Sequence, residues 1–257
     1  MMIVADGVHS FSDGTSNVVG LVAIHIAGHP ADEDHPYGHQ KYETLAAVIV
    51  SFFLFIVSLE IIKKAVMGLI HPVRPDVSPA SFLVMGFTLV VNVFVAIYER
   101  RRARELRSDF LASDSWHTLT DVFVTLSIFA ALVGIEHGIP RLDAVFSLAI
   151  AGVIVAAAVN ILKHSSGILT DRVALDKENV ERLVRSVEGV LDCHEIRTRG
   201  RADNIYIDLH VLVEPQMTVL ISHALATRIE SRIRKEIPGV CDVVVHIEPL
   251  SHEHDGI

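Results

Sequence analysis

This chain predicts an α-helical transmembrane bundle of five spans followed by a small α+β domain in the aqueous phase. Three observations lead there. Hydrophobic residues make up 51% of the 257 and charged residues only 21%, for a mean hydropathy of +0.44, and the long apolar stretches all fall before residue 171. Residues 171–257 instead show the short-period, charge-interrupted patterning of a water-soluble domain. The pattern Asp-x-x-His-x-x-x-Asp also occurs twice, as Asp6-Gly-Val-His9-Ser-Phe-Ser-Asp13 and Asp114-Ser-Trp-His117-Thr-Leu-Thr-Asp121, each copy opening an apolar segment. The expected units are a transmembrane domain at 1–170 and a soluble domain at 171–257.

The spans come first in chain order. Apolar segments run over residues 3–26, 44–62, 82–98, 111–134 and 144–162, each near the ~17–25 residues a spanning helix needs. One such segment alone fits a buried helix of a soluble protein; five in succession do not. Orientation follows from the bias of Lys and Arg toward cytoplasmic loops. The loop after the third segment holds Arg100, Arg101, Arg102, Arg104 and Arg107, whereas the loops at 71–76 and 136–141 hold a single arginine each, Arg74 and Arg141. The arginine-rich loop is therefore cytoplasmic, and so are loop 29–43 and the soluble tail. This topology puts residue 1 on the outer side, directly ahead of a hydrophobic helix, and leads us to expect a further span before Asp6.

The tail reads helix, strand, strand, helix, strand. Val180, Leu183 and Val184 give residues 177–187 a helical apolar stripe, and a strand-like run covers 194–199. Ile205, Ile207, Leu209, Val211 and Val213 alternate with Tyr206, Asp208, His210 and Leu212, the period of a half-buried strand. Leu225, Ile229, Ile233 and Ile237 repeat every four residues, and Pro238-Gly239 ends that helix. Residues 241–247 form the last strand. The expected product is an antiparallel sheet with its helices on one side.

Composition also excludes several function classes. A net charge of -9 leaves no basic stripe for nucleic acid. Cys193 and Cys241 have no Cys-x-x-Cys spacing, so a disulfide framework is not expected and a reducing compartment fits. The N-terminal segment does not read as a cleavable signal peptide. The phosphate-binding Gly-x-x-x-x-Gly-Lys pattern and the His-Glu-x-x-His pattern are both absent from the sequence, which disfavours an ATP-driven pump and a common zinc protease. The chain reads as a non-enzyme.

Residues four apart on a helix share a face, so His9 with Asp13 and His117 with Asp121 form two pairs. The first segment runs inward and the fourth outward, so packed side by side they bring His9 level with Asp121 and Asp13 level with His117. Two imidazoles and two carboxylates around one ion suit zinc, with cadmium and cobalt as further candidates. The competing reading is interhelical hydrogen bonding, but that does not require the same spacing twice. Asp6 and Asp114 read equally as helix caps or as partners orienting the histidines. In loop 29–43, Asp32, His35 and His39 are donors for a second ion, against the plainer reading of a solvated acidic turn. In the tail, Asp208 and His210 share one strand face, and His246 shares another with Glu248. His194 and His223 complete the set of candidates there. Each such histidine alone is more often a surface residue than a ligand.

With these residues in view the chain resembles the cation diffusion facilitator family. The resemblance rests on Asp6-x-x-His9-x-x-x-Asp13, on Asp32-x-x-His35-Pro-Tyr-Gly-His39-x-Lys41-x-Glu43 and on His117-x-x-x-Asp121, in that order. It implies a bundle of six spans in the lipid membrane with a ferredoxin-like, metallochaperone-like cytoplasmic domain through which two copies form a homodimer. The family's transport site corresponds to His9, Asp13, His117 and Asp121, and its loop site to Asp32, His35 and His39. The cytoplasmic site corresponds to His194, His210, His223 and His246, with Glu248 in the place of an acidic ligand. An interlock between Lys41 and Asp171 is also implied. A manganese-type member would carry Asp-x-x-x-Asp in both helices, so His9 and His117 resemble the zinc class. The expected activity is export of Zn2+, with Cd2+, Co2+ or Fe2+ as other cargo, from the cytoplasm across the cell membrane in exchange for protons. Zn2+ is also expected in a regulatory place, and no organic cofactor is expected. A passive metal channel and a membrane-anchored metal sensor are the rival readings.

Overall fold

A computed structural model of the chain describes residues 18–70, 79–136 and 142–250. The chain divides into two compact units, Met1–Ser166 and Gly167–Ile257.

The first unit is helical. Helix α1 is Val18–Ala27, followed by α2 (Lys41–Ile70), α3 (Pro79–Leu106), α4 (Asp109–Glu136) and α5 (Leu142–Leu169). Of the first expected span, residues 3–17 lie outside the described residues. Among the described residues three helices are long and apolar enough to cross a membrane, at Lys41–Ile70, Leu83–Leu106 and Ala144–Leu169. Helix α4 is as long as α3, at 28 residues, but carries Asp109, Asp114 and Asp121.

The bundle is built the way hydrocarbon surroundings demand. Helix α2 buries Thr44, Ala47, Ser51, Leu54 and Ser58 and turns Leu45, Ile49, Phe52, Ile56 and Leu59 outward. Water would penalise that outer face, whereas lipid tails are as apolar as leucine, so small residues go inside where backbones must approach. Three of the buried hydroxyls are satisfied within their own helices: Ser51 donates to the Val48 carbonyl at 2.7 Å, Ser58 to Phe55 at 2.8 Å and Thr120 to Trp116 at 3.0 Å. That is the local solution available where no water can reach. Two apolar clusters join the helices. Ala23 of α1, Ala46 and Val50 of α2, and Phe110 of α4 form one. Leu54 of α2 with Ile154 and Ala158 of α5, flanked by Trp116 of α4, forms the other. Gly20 allows α1 its place in the first, since a Cβ there would overlap the Phe110 ring.

Gly167–Ile257 is an α+β unit with elements α6 (Lys177–Arg185), β1 (Asp192–Arg201), β2 (Asn204–Val213), α7 (Val219–Glu236) and β3 (Val240–Pro249). Asp176 and Thr218 cap the two helices, accepting the backbone N–H of Glu178 and of Ile221. The strand order is β1-β2-β3. β1 pairs with β2 antiparallel, but β2 pairs with β3 parallel, which corrects the expectation of an antiparallel sheet. The reason is the connection: a tight turn reverses the chain between β1 and β2, whereas α7 carries it back across the sheet, so β3 starts at the same end as β2. Val180 and Val184 of α6 and Leu225, Ile229 and Ile233 of α7 pack on Ile205, Ile207, Leu209 and Val211 of β2. The even-numbered residues of β2, His210 among them, lie on the other face.

Candidate metal centres

Helix α4 presents Asp114, His117 and Asp121 at spacings of three and four, hence on one face. His117 is buried, and its Nδ1 and one Asp121 carboxylate oxygen are closed off from solvent. Their expected partners His9 and Asp13, together with Asp6, lie outside the described residues. The start of α4 is fixed by a network that the sequence did not suggest. Ser108 caps the helix by accepting the Leu111 N–H at 3.1 Å. Glu43 of α2 accepts both the Ser108 hydroxyl and, at 3.3 Å, the Phe110 N–H. Asp109 accepts from Thr44 of α2 at 3.4 Å and lies 3.2 Å from His164 of α5. Further along α4, Thr118 donates to Glu99 of α3 at 2.9 Å and lies 3.3 Å from the Asp114 carbonyl. Glu99 therefore stands beside the candidate transport helix.

The loop between α1 and α2 gathers Asp32, His35 and His39, with one possible ligand atom from each within 4.8 Å of the others. Asp32 is folded for this role: it accepts the His35 N–H at 2.7 Å, and its second oxygen lies 3.4 Å from His39 Nε2. The His35 N–H holds the Asp32 carboxyl below its ordinary range against the opposing effect of burial, with His39 and His35 adding to the shift. His39 Nδ1 meets the Pro30 carbonyl at 3.2 Å. Donation there assigns the proton to Nδ1 and leaves Nε2 as the lone-pair donor, the arrangement metal-bound histidines adopt. Gly38, at φ 82, makes the turn that returns His39 toward Asp32. Lys41 opens α2. The residue expected to interlock with it, Asp171, belongs to the other unit and follows α5 at φ 55. Asp171 sits in a helix-ending motif in which the Arg172 N–H reaches the Gly167 carbonyl at 2.8 Å and its own N–H reaches Ile168 at 3.3 Å.

The third group lies on the sheet. His194 is directly opposite His210, and His210 is directly opposite His246, so one imidazole from each strand forms a row. Adjacent ring centroids are 5.3 and 4.6 Å apart. Glu248, two residues past His246 and on its face, lies 2.8 Å from His210 Nδ1, 3.3 Å from His194 Nε2 and 3.4 Å from His246 Nε2. Burial pushes the Glu248 carboxyl up, but the His210 hydrogen bond and the three neighbouring imidazoles prevail and hold it low. A bulge makes the row possible: Glu195, at φ 47, interrupts the register between His194 and Arg197. The extra residue lets His194 stay on the open face while Ile196 and Thr198 return to the buried one. His223 does not join this cluster. It is an exposed residue of α7, which packs on the opposite face of the sheet.

The sequence compares directly with known families at this point. Residues 1–170 match the cation efflux transmembrane domain, and residues 174–250 match the cytoplasmic domain of cation efflux proteins. The chain belongs to the cation diffusion facilitator family. Relatives in that family include the manganese efflux system protein MneS of Bacillus subtilis, 29% identical over 254 residues that cover 98% of this chain and 87% of that protein. Another is the cation-efflux pump FieF of Cronobacter sakazakii, 30% identical over 251 residues, with 97% and 83% covered. Among solved structures, a variant of MamM-CTD overlaps 29% of this chain and 94% of its own length, with 20% identity and a TM-score of 0.28. As a family member the chain is a cation efflux transporter, with a transmembrane domain and a cytoplasmic C-terminal domain.

Proposed function

We propose that this transporter exports Zn2+ from the cytoplasm across the cell membrane in exchange for protons, and that it works as a homodimer joined through its cytoplasmic domain. The observation that carries the reading is His117 on α4, buried one turn from Asp121. A mixed imidazole and carboxylate pair is the donor chemistry of zinc; an all-oxygen octahedral ion would not need the histidine. In this reading His9 and Asp13 supply the other half of the tetrahedron, and Asp6 and Asp114 orient the histidines.

The same ligands account for the exchange. Zinc requires neutral imidazole and ionised carboxylate, so protons arriving from outside compete for the same atoms and release the ion there. Alternating access comes from rocking of the α1 and α4 pair against the remaining helices. Asp32, His35 and His39 hold a second ion at the cytoplasmic mouth. His194, His210, His246 and Glu248 hold a regulatory one. The name of the Bacillus subtilis relative makes manganese the competing cargo.

The test is flux into proteoliposomes under an imposed pH gradient, with zinc and manganese in competition. Zinc uptake that follows the gradient and is abolished by Asp121→Ala is expected. Flux indifferent to the gradient would favour a channel, binding without flux a sensor, and unchanged flux in Asp121→Ala would remove the site assignment.

A further inference from the structure

We propose that His29 is a fourth ligand of the loop metal site, completing a tetrahedral set with Asp32, His35 and His39 for a zinc-type divalent cation. The proposal rests on reading those three residues as a metal site. Three donors leave one corner of a tetrahedron to fill, and His29 stands beside His39. Its ring centroid is 6.1 Å from that of His39, with the planes at 73°. Two imidazoles on one tetrahedral zinc, with Zn–N near 2.0–2.1 Å, have centroids about 5 Å apart. His35 and His39 already lie closer than this, at 4.3 Å, so His29 needs to close by roughly 1 Å, a side-chain adjustment open to an exposed residue.

The backbone supports the same assignment. His29 adjoins Pro30, whose carbonyl orients His39, so one short segment both sets the His39 tautomer and carries the additional imidazole. The His29 N–H is taken by the Ile26 carbonyl at 3.0 Å, closing the end of α1. That helix terminus carries partial negative charge, which favours a cation beside it. His25, one turn earlier, packs edge-on against His29 with centroids 5.1 Å apart. His25 is thus a positioning residue that narrows the rotamers of His29.

The experiment uses the full chain in detergent with Co2+ as the probe, comparing wild type with His29→Ala, His29→Gln and His39→Ala. Wild-type minus variant visible spectra isolate the loop site from the others. Loss of a tetrahedral Co2+ band and a roughly 10–100-fold weaker affinity at one site are expected for both His29 variants, with an equal or larger effect for His39→Ala. If His39→Ala loses the band while both His29 variants keep it, the proposal is overturned and the three-residue site stands. If neither position alters the spectrum, the loop site itself fails and the proposal fails with it.

Discussion

Gly20→Ala isolates the α1–α4 contact on which the proposed transport site depends. A Cβ at Gly20 would overlap three carbons of the Phe110 ring, and Phe110 is only 4% exposed, so the ring has little room to swing away. Overpacking of this kind costs about 1–3 kcal/mol. If the clash exists only while α1 lies against α4, the paired state falls in population by about 5- to 150-fold, since about 1.4 kcal/mol is a factor of ten. Zinc flux in proteoliposomes should fall within that range, and binding at the sheet site should not change. Restoring the space in Gly20→Ala/Phe110→Ala should recover a large part of the flux, although Phe110→Ala alone leaves a cavity that destabilises the bundle. Normal flux in Gly20→Ala would refute the close approach. A double variant no better than the single one would refute Phe110 as the obstructing group.

His117→Asp should turn the α4 pair into an Asp-x-x-x-Asp set, remove the softer nitrogen donor and shift competition in flux assays from zinc toward manganese; unchanged zinc preference would exclude His117 from the coordination shell. Glu248→Gln should weaken metal binding at the sheet site by roughly 10–100-fold in calorimetry. The far-UV circular dichroism should not change, because the carboxylate contacts imidazoles on the open face rather than the core.

Much of this was legible because the physics is local and periodic. The alternation of Ile205 through Val213 named the buried face of β2, and the four-residue repeat of Leu225, Ile229 and Ile233 named that of α7. Asp32, His35 and His39 converge within one loop, so spacing alone brought them together. The sense of β3 was not legible, because a strand carries the same alternation in either direction and only the path through α7 decides. His194 and His210 were joined only through the family resemblance, because their meeting depends on register and on the bulge at Glu195, which nothing about a glutamate announces. His25 and His29 were passed over for a related reason: they lie at the end of an apolar helix, and only the fold of the loop turns that end toward His39. The place of His223 was not legible either, because a strand face and a helix on the other side of the sheet are indistinguishable in a list of histidines.

The polar ties at the ends of α2, α4 and α5 give the loop site a mechanical relation to the transport helix. His39 lies two residues before α2, and Glu43, in the first turn of that helix, accepts the Ser108 hydroxyl and the Phe110 N–H at the start of α4. Asp109 adds contacts to Thr44 and His164. The first turns of an α-helix have N–H groups with no partner of their own, and here a carboxylate from a neighbouring helix supplies one. Releasing that pairing in an apolar setting costs about 1.5–3 kcal/mol, so α2 and α4 are tied at this end, which is where the rocking pair would pivot. An ion that orders Asp32, His35 and His39 therefore also fixes the segment leading into α2. Through Glu43 it biases where α4, with His117 and Asp121, comes to rest. The Glu43 of the loop motif is thus explained by helix capping rather than by coordination, and in the proposed reading metal at the mouth would act on the membrane site through these hydrogen-bonded groups.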